Sequence, residues 1–153
     1  MPTRHASSLA YLLALTTVLT PASAAACSVN TVGVAFGRYE PGTGTDGVGT
    51  LSLSCPPNAQ APQVSLGTGS SGSYNPRSMV EGADRLEYNL FTDLARTTIW
   101  GDGTSGTSTV TMTGGTVNAG QRRFQRSVYG RIPASQRVRA KSYSDTMVIT
   151  VSF

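Results

Sequence analysis

Residues 143–153 constrain the fold more than any other stretch of the chain. They hold no Gly, no Pro and no helix cap, and the run is largely β-branched or apolar from Met147 on. Met147, Ile149, Val151 and Phe153 fall on one face of an extended chain, and Val148, Thr150 and Ser152 on the other. The alternation predicts a β-strand with one strongly apolar face. The sequence offers no turn after it and no later strand to pair with it. The expectation is a strand in need of neighbours, because an unpaired edge with an apolar face invites another chain to pair with it.

The preceding residues read as further short strands between Gly- and Pro-rich turns. Val32-Gly33-Val34-Ala35-Phe36-Gly37 is a first apolar piece, and residues 39–46, with Pro41, Gly42 and Gly44, form a loop. Residues 48–55 alternate, with Leu51, Leu53 and Cys55 facing one way, and Pro56-Pro57 stops them. Gln63-Val64-Ser65-Leu66 is a short strand before a long turn over residues 67–76. Residues 86–91 place Leu86, Tyr88 and Leu90 on one face. Residues 92–96 form a helical turn or a bent connection to Thr98-Ile99-Trp100, and Gly101-Asp102-Gly103 marks a tight turn. Residues 108–113 turn Val110 and Met112 inward, Gly114-Gly115 breaks them, and residues 124–132 form a strand that Pro133 ends. No segment sustains a helical period, so the fold class is all-β, a sandwich with Greek-key connections.

The N-terminal residues stand apart. Arg4 and His5 precede an apolar run through Leu19, and Pro21-Ala22-Ser23-Ala24 supplies a break and a small-x-small signal. This predicts an export signal over residues 1–24, cleaved after Ala24 or after Ala26, and one domain over residues 25–153. No other run reaches the roughly 20 apolar residues of a membrane-spanning helix, so no membrane span is expected. In an exported chain Cys27 and Cys55 are expected to form a disulfide, closing a loop of about 28 residues worth about 3.6 kcal/mol in the chain-entropy model. The rival reading is lipid modification at Cys27. Against it, Ala24 rather than a large aliphatic stands three residues before, and Cys55 would be left unpaired.

Charge and chemistry exclude more than they include. The chain carries 12 Lys and Arg against 8 Asp and Glu, a mild excess that gathers late, in Arg122, Arg123, Arg126, Arg131, Arg137, Arg139 and Lys141. These are expected on solvent faces of strands, and aromatic residues are too sparse among them for a nucleic-acid site. The single histidine, His5, leaves with the signal, which removes the base of a catalytic triad and the usual metal ligands. Asp84 with Glu87, or Asp93 with Asp102, could pair, but acidic residues beside loop glycines are expected as turn formers. Asp102-Gly103 is too little for calcium, and no glycine run precedes a helix as a phosphate loop requires. No enzyme, cofactor or metal is expected. A carbohydrate platform would need exposed Tyr39, Tyr74 or Trp100, and Trp100 is expected in the core.

Several motifs in one order resemble the spore coat protein U domain, a family shared with subunits of archaic-class chaperone–usher pili. They begin with Cys27 and Val34-Ala35-Phe36-Gly37-Arg38-Tyr39, then Leu51-Ser52-Leu53-Ser54-Cys55. Tyr88-Asn89-Leu90-Phe91-Thr92-Asp93 and Thr98-Ile99-Trp100-Gly101-Asp102-Gly103 follow. Val128-Tyr129-Gly130-Arg131-Ile132-Pro133 and Tyr143-Ser144-Asp145-Thr146 complete the set. The family commonly has a glycine just before its Tyr-x-Asp, where this chain has Lys141-Ser142.

The resemblance implies an incomplete immunoglobulin-like sandwich that lacks its seventh and final strand and is completed by a donated one. Phe36, Tyr88, Trp100 and Tyr129 would be its motif and core residues. Tyr143, Met147, Ile149, Val151 and Phe153 would line the strand-acceptor groove and meet the chaperone. The partners so implied are a periplasmic chaperone, an outer-membrane usher and an adjacent pilus subunit, and the destination is the cell surface. Only Ala25 and Ala26 separate the expected cleavage site from Cys27, too few for a donor strand of about ten residues. The expectation is therefore a tip or initiator subunit that accepts a strand without giving one, with a role in adhesion. The alternative is a spore-coat or secreted surface protein of the same fold that does not polymerise.

Overall fold

Strands form where the alternation of side chains is long enough to bury one face. The computed structural model describes residues 27–153, and the expected export signal over residues 1–24 lies outside the described residues. The strands are β1 (Ser28–Val32), β2 (Thr45–Cys55), β3 (Gln63–Leu66), β4 (Arg77–Glu81), β5 (Asp84–Phe91), β6 (Val110–Thr111), β7 (Thr116–Asn118), β8 (Gln121–Ile132) and β9 (Ile149–Ser152). One 3₁₀ turn, Gly69–Ser71, lies between β3 and β4.

Two antiparallel sheets result. The larger runs β1-β2-β8-β5-β4, with β7 also on β8, and the smaller runs β6-β3-β9. Strands distant in sequence lie side by side, β2 on β8 and β3 on β9. These are the crossovers of an immunoglobulin-like sandwich. Leu51, Leu53, Phe124 and Val128 from the larger sheet meet Val64, Leu66 and Val110 from the smaller one in a single core. Trp100 is fully buried and donates its indole N–H to the Val64 carbonyl at 3.1 Å.

The inner faces of β2 and β8 are not apolar throughout. Gly47 of β2 stands opposite Gly130 of β8. A Cβ on Gly130 would come within 2.6 Å of the Phe36 ring and 2.7 Å of the Val34 Cγ1. The chain leaving β1 thus lays Val34 and Phe36 across the sheet where glycines make room for them.

The disulfide joins Cys27, just before β1, to Cys55 at the end of β2, as the sequence predicts. Four expectations need correction. The apolar piece at residues 32–37 is strand only at Val32, and β1 lies earlier, over five exposed residues. The strands β4 and β7 were not foreseen. The terminal strand does not span residues 143–153 and does not lack a neighbour: β9 is four residues long and pairs with β3, Val151 opposite Val64. It is short because residues 144–148 cross between sheets, from a bridge of Ser144 to Val80 on β4 to the pairing of Ile149 with Leu66 on β3. Tyr129 is not a core residue. Strand alternation puts Val128 inward, so Tyr129 lies on the outer face, half-buried, with the Arg96 guanidinium 5.9 Å from its ring centre.

Candidate strand-acceptor groove

One long edge of β9 is bonded to β3, and the other has no strand beside it among the described residues. Along that side runs a groove of about 1140 Å³. Its first lip is the irregular segment after β1, which contributes Val34 and Phe36. Its second lip runs through Tyr143 to Met147 and Ile149. Leu51, Leu66, Leu86, Leu90 and Val128 form an apolar floor supplied by both sheets.

Tyr88 spans the groove between the lips. Its ring meets Phe36 edge-on, with centres 5.9 Å apart, and its hydroxyl donates to Asp145 Oδ2 at 2.7 Å. The same carboxylate accepts at Oδ1 from the Ser70 amide at 2.8 Å, the Ser70 hydroxyl at 2.6 Å and the Thr146 amide at 2.8 Å. Burial opposes ionisation of Asp145, but the hydrogen bonds from Ser70, Tyr88 and Thr146 outweigh it and hold the carboxyl below its ordinary value. Burial, reinforced by that carboxylate, pushes the Tyr88 phenol up.

Behind Tyr88 lies Arg77, fully buried on β4. Its guanidinium donates to the carbonyls of Gly67 and Trp100 and, at 2.7 Å, to Asn89 Oδ1. The side chain therefore ties the turn before the 3₁₀ segment to β5 and to the Trp100 loop. Three backbone bonds hold the second lip: Gly67 donates to the Val148 carbonyl at 2.8 Å, Val80 to the Ser144 carbonyl at 3.0 Å, and Ser144 back to the Val80 carbonyl at 3.5 Å. At the rim, Lys141 and Arg139 share Asp84, at 3.1 and 3.9 Å.

Of the residues expected to form the groove, Tyr143, Met147 and Ile149 line it. Val151 packs against the core further along, and Phe153 is 72 % exposed and outside it. Phe36 and Tyr88 belong to the groove, whereas Trp100 closes the core away from it. Sequence reasoning missed Val34, Ser70 and Arg77 as parts of this site and quoted Asp145 only within a motif. The signal for Asp145 was its place two residues after Tyr143, and for Val34 the glycines at positions 47 and 130.

The other chemistry considered resolves into structure. Asp93 accepts from the amides of Thr97 and Thr98, and Asp102 from that of Thr104, as turn formers do. Tyr39 donates its hydroxyl to the Pro133 carbonyl, and Tyr74 lies under Arg77. Among the described residues no cluster of His, Cys, Asp or Glu could hold a metal, and no helix is long and apolar enough to cross a membrane.

Known proteins resemble this chain in sequence or in fold. Protein U of Myxococcus xanthus is 33 % identical over 133 residues, covering 77 % of this chain and 70 % of that one. A similar fold occurs in the crystal structure of the CsuC–CsuE chaperone–tip adhesion subunit pre-assembly complex from the archaic chaperone–usher Csu pili of Acinetobacter baumannii. The match has a TM-score of 0.60 and 23 % identity, over 84 % of this chain. This chain matches 39 % of the length of that one, and the likeness is one of fold. The family model of the Spore Coat Protein U domain matches residues 13–150, nearly the whole sequence, and the chain belongs to that family.

Proposed function

We propose that this protein is a structural subunit of an archaic-class chaperone–usher fibre, built to accept a β-strand from another chain. The observation that carries the reading is the edge of β9 that is unpaired among the described residues, along an apolar groove floored by both sheets. An extended segment laid there would continue the ladder of the smaller sheet and drop alternate side chains onto the floor. A periplasmic chaperone would supply that segment first and an adjacent subunit would replace it at an outer-membrane usher, after export of the chain. The role is structural and needs no catalysis or cofactor.

The finer placement at the fibre tip rests on cleavage after Ala24 or Ala26, which would leave no donor strand before Cys27. N-terminal sequencing of the exported protein tests it, and a mature start near Leu12 would remove it. The family's description as a Spore Coat Protein U domain favours a second reading, a coat or surface protein of the same fold that does not polymerise. Co-purification of a chaperone from native extract separates the two.

Strand acceptance itself is tested by exporting the chain to a periplasm with and without a cognate chaperone. The expected result is degradation or aggregation alone and accumulation with the chaperone. A soluble, monomeric and stable product made alone would overturn it.

A further inference from the structure

Asp145 is the one carboxylate among the residues lining the groove, and four bonds converge on it from three places. Tyr88 reaches it from β5, Ser70 from the 3₁₀ turn and Thr146 from its own lip. Gly69, at φ +68°, passes so close beneath Oδ2 that no Cβ fits there, so the turn is shaped around the carboxylate. Residues 144–148 are otherwise held by a two-bond bridge between Ser144 and Val80 and one backbone bond at Val148. The charge on Asp145 also acts on the buried Arg77 guanidinium, which hydrogen-bonds to no carboxylate among the described residues.

We propose that Asp145 is the positioning residue of the strand-acceptor groove: its ionised carboxylate pins the second lip against Tyr88 and the 3₁₀ turn, and acid releases that lip and lowers strand uptake. The proposal rests on the strand-acceptance reading. A protonated Asp145 keeps its place only by surrendering acceptor sites, because the acid's own proton must itself find an acceptor. The lip that β9 continues then has to be ordered by the incoming strand, and the cost of ordering appears as lost affinity. Around Asp145 the groups bearing charge or able to titrate are Tyr88, Arg77 and, at the rim, Lys141, Arg139 and Asp84. Asp84 is engaged with the two rim cations and does not touch the pinned segment.

The test is uptake of a synthetic peptide of about ten alternating Val and Thr residues, capped at both ends and free of ionisable groups, by the disulfide-intact protein as it exchanges out of its chaperone complex between pH 3 and 7. Affinity of the unaltered chain is expected to fall on the order of tenfold towards low pH, the scale of one charge-assisted hydrogen bond. Asp145→Asn should bind weakly with a flat profile. Ser70→Ala and Tyr88→Phe each remove donors to the carboxylate, so their midpoints should move to higher pH. Ser70→Ala reads the effect even where Asp145→Asn does not fold. A pH-independent wild type, or variants that weaken binding uniformly with unmoved midpoints, would overturn the proposal while leaving strand acceptance intact. Failure of every form to bind at any pH would overturn both.

Discussion

At the scale of single residues, the buried polar network behind the groove carries the largest stakes. Arg77 is fully buried and serves three separate acceptors. Arg77→Met keeps the volume but removes the donor to the Gly67 and Trp100 carbonyls, leaving Asn89 Oδ1 only its bond from the Leu90 amide, and Arg77→Lys cannot reproduce the planar fork that serves all three together. A buried acceptor left without its donor costs about 1–3 kcal/mol, which urea denaturation of the variants should show. The same network predicts two limits of stability in pH. The Asp145 carboxyl sits below its ordinary value in the fold, so its contribution is complete above the unfolded value of about 3.9 and is lost as pH falls through the lower folded one. The Tyr88 phenol is raised, so its contribution holds below about pH 10 and falls as the unfolded phenol ionises above it. Denaturation midpoints followed across pH should therefore drop at both ends, with Tyr88→Phe weakening the alkaline fall, to which the raised Tyr74 also contributes, and Asp145→Asn weakening the acid one.

At the scale of elements, β9 is the test piece, because its two faces make opposite demands. Ile149 faces the groove and Val148 stands 72 % exposed just before the strand. Ile149→Asp places a charge on the apolar floor and is expected to abolish accumulation of the protein, while Val148→Asp should accumulate normally. Equal yields from cells expressing each variant would mean that β9 does not face the core. How far such elements were legible depended on what their faces bury. β2, β5 and β8 could be read because Leu51, Leu53, Leu86, Tyr88, Leu90 and Val128 lie on the covered face of strands whose other face stays more open. β1 could not, since all five of its residues are exposed and nothing in them marks a face. β4 was hidden because its first inward residue is Arg77, whose burial depends on acceptors far away in sequence. Tyr129 misled for the opposite reason: an aromatic beside buried Val128 belongs to the outer face by register alone, and motif likeness carried no register. The groove's lining was half legible, through Tyr143, Met147 and Ile149. The Asp145 pin was not, because Ser70 and Tyr88 come to it from 75 and 57 residues away.

At the scale of the whole molecule, the disulfide governs more than chain entropy. β1 is bonded to β2 alone, at the end of the larger sheet, and its residues bury no face of their own. The segment that continues from it carries Val34 and Phe36 into the groove, so β1 is the anchor of the first lip. Cys27–Cys55 fastens the start of that anchor to the end of β2. Opening the bond releases a 28-residue loop. The chain-entropy cost is about 3.6 kcal/mol, a large share of the 5–15 kcal/mol by which domains are stable. Because β1 has one neighbour and no buried side chains, loss should begin there as local opening rather than as uniform weakening. Hydrogen exchange of the Cys27→Ser, Cys55→Ser double variant is expected to show β1 amides losing protection first and the amides of β8 last. Its affinity for a capped alternating peptide should fall with β1, since a first lip that frays no longer holds Phe36 against Tyr88. Uniform loss of protection across β1 and β8 would instead mean that the bond stabilises the sandwich as one cooperative unit and has no particular bearing on the groove.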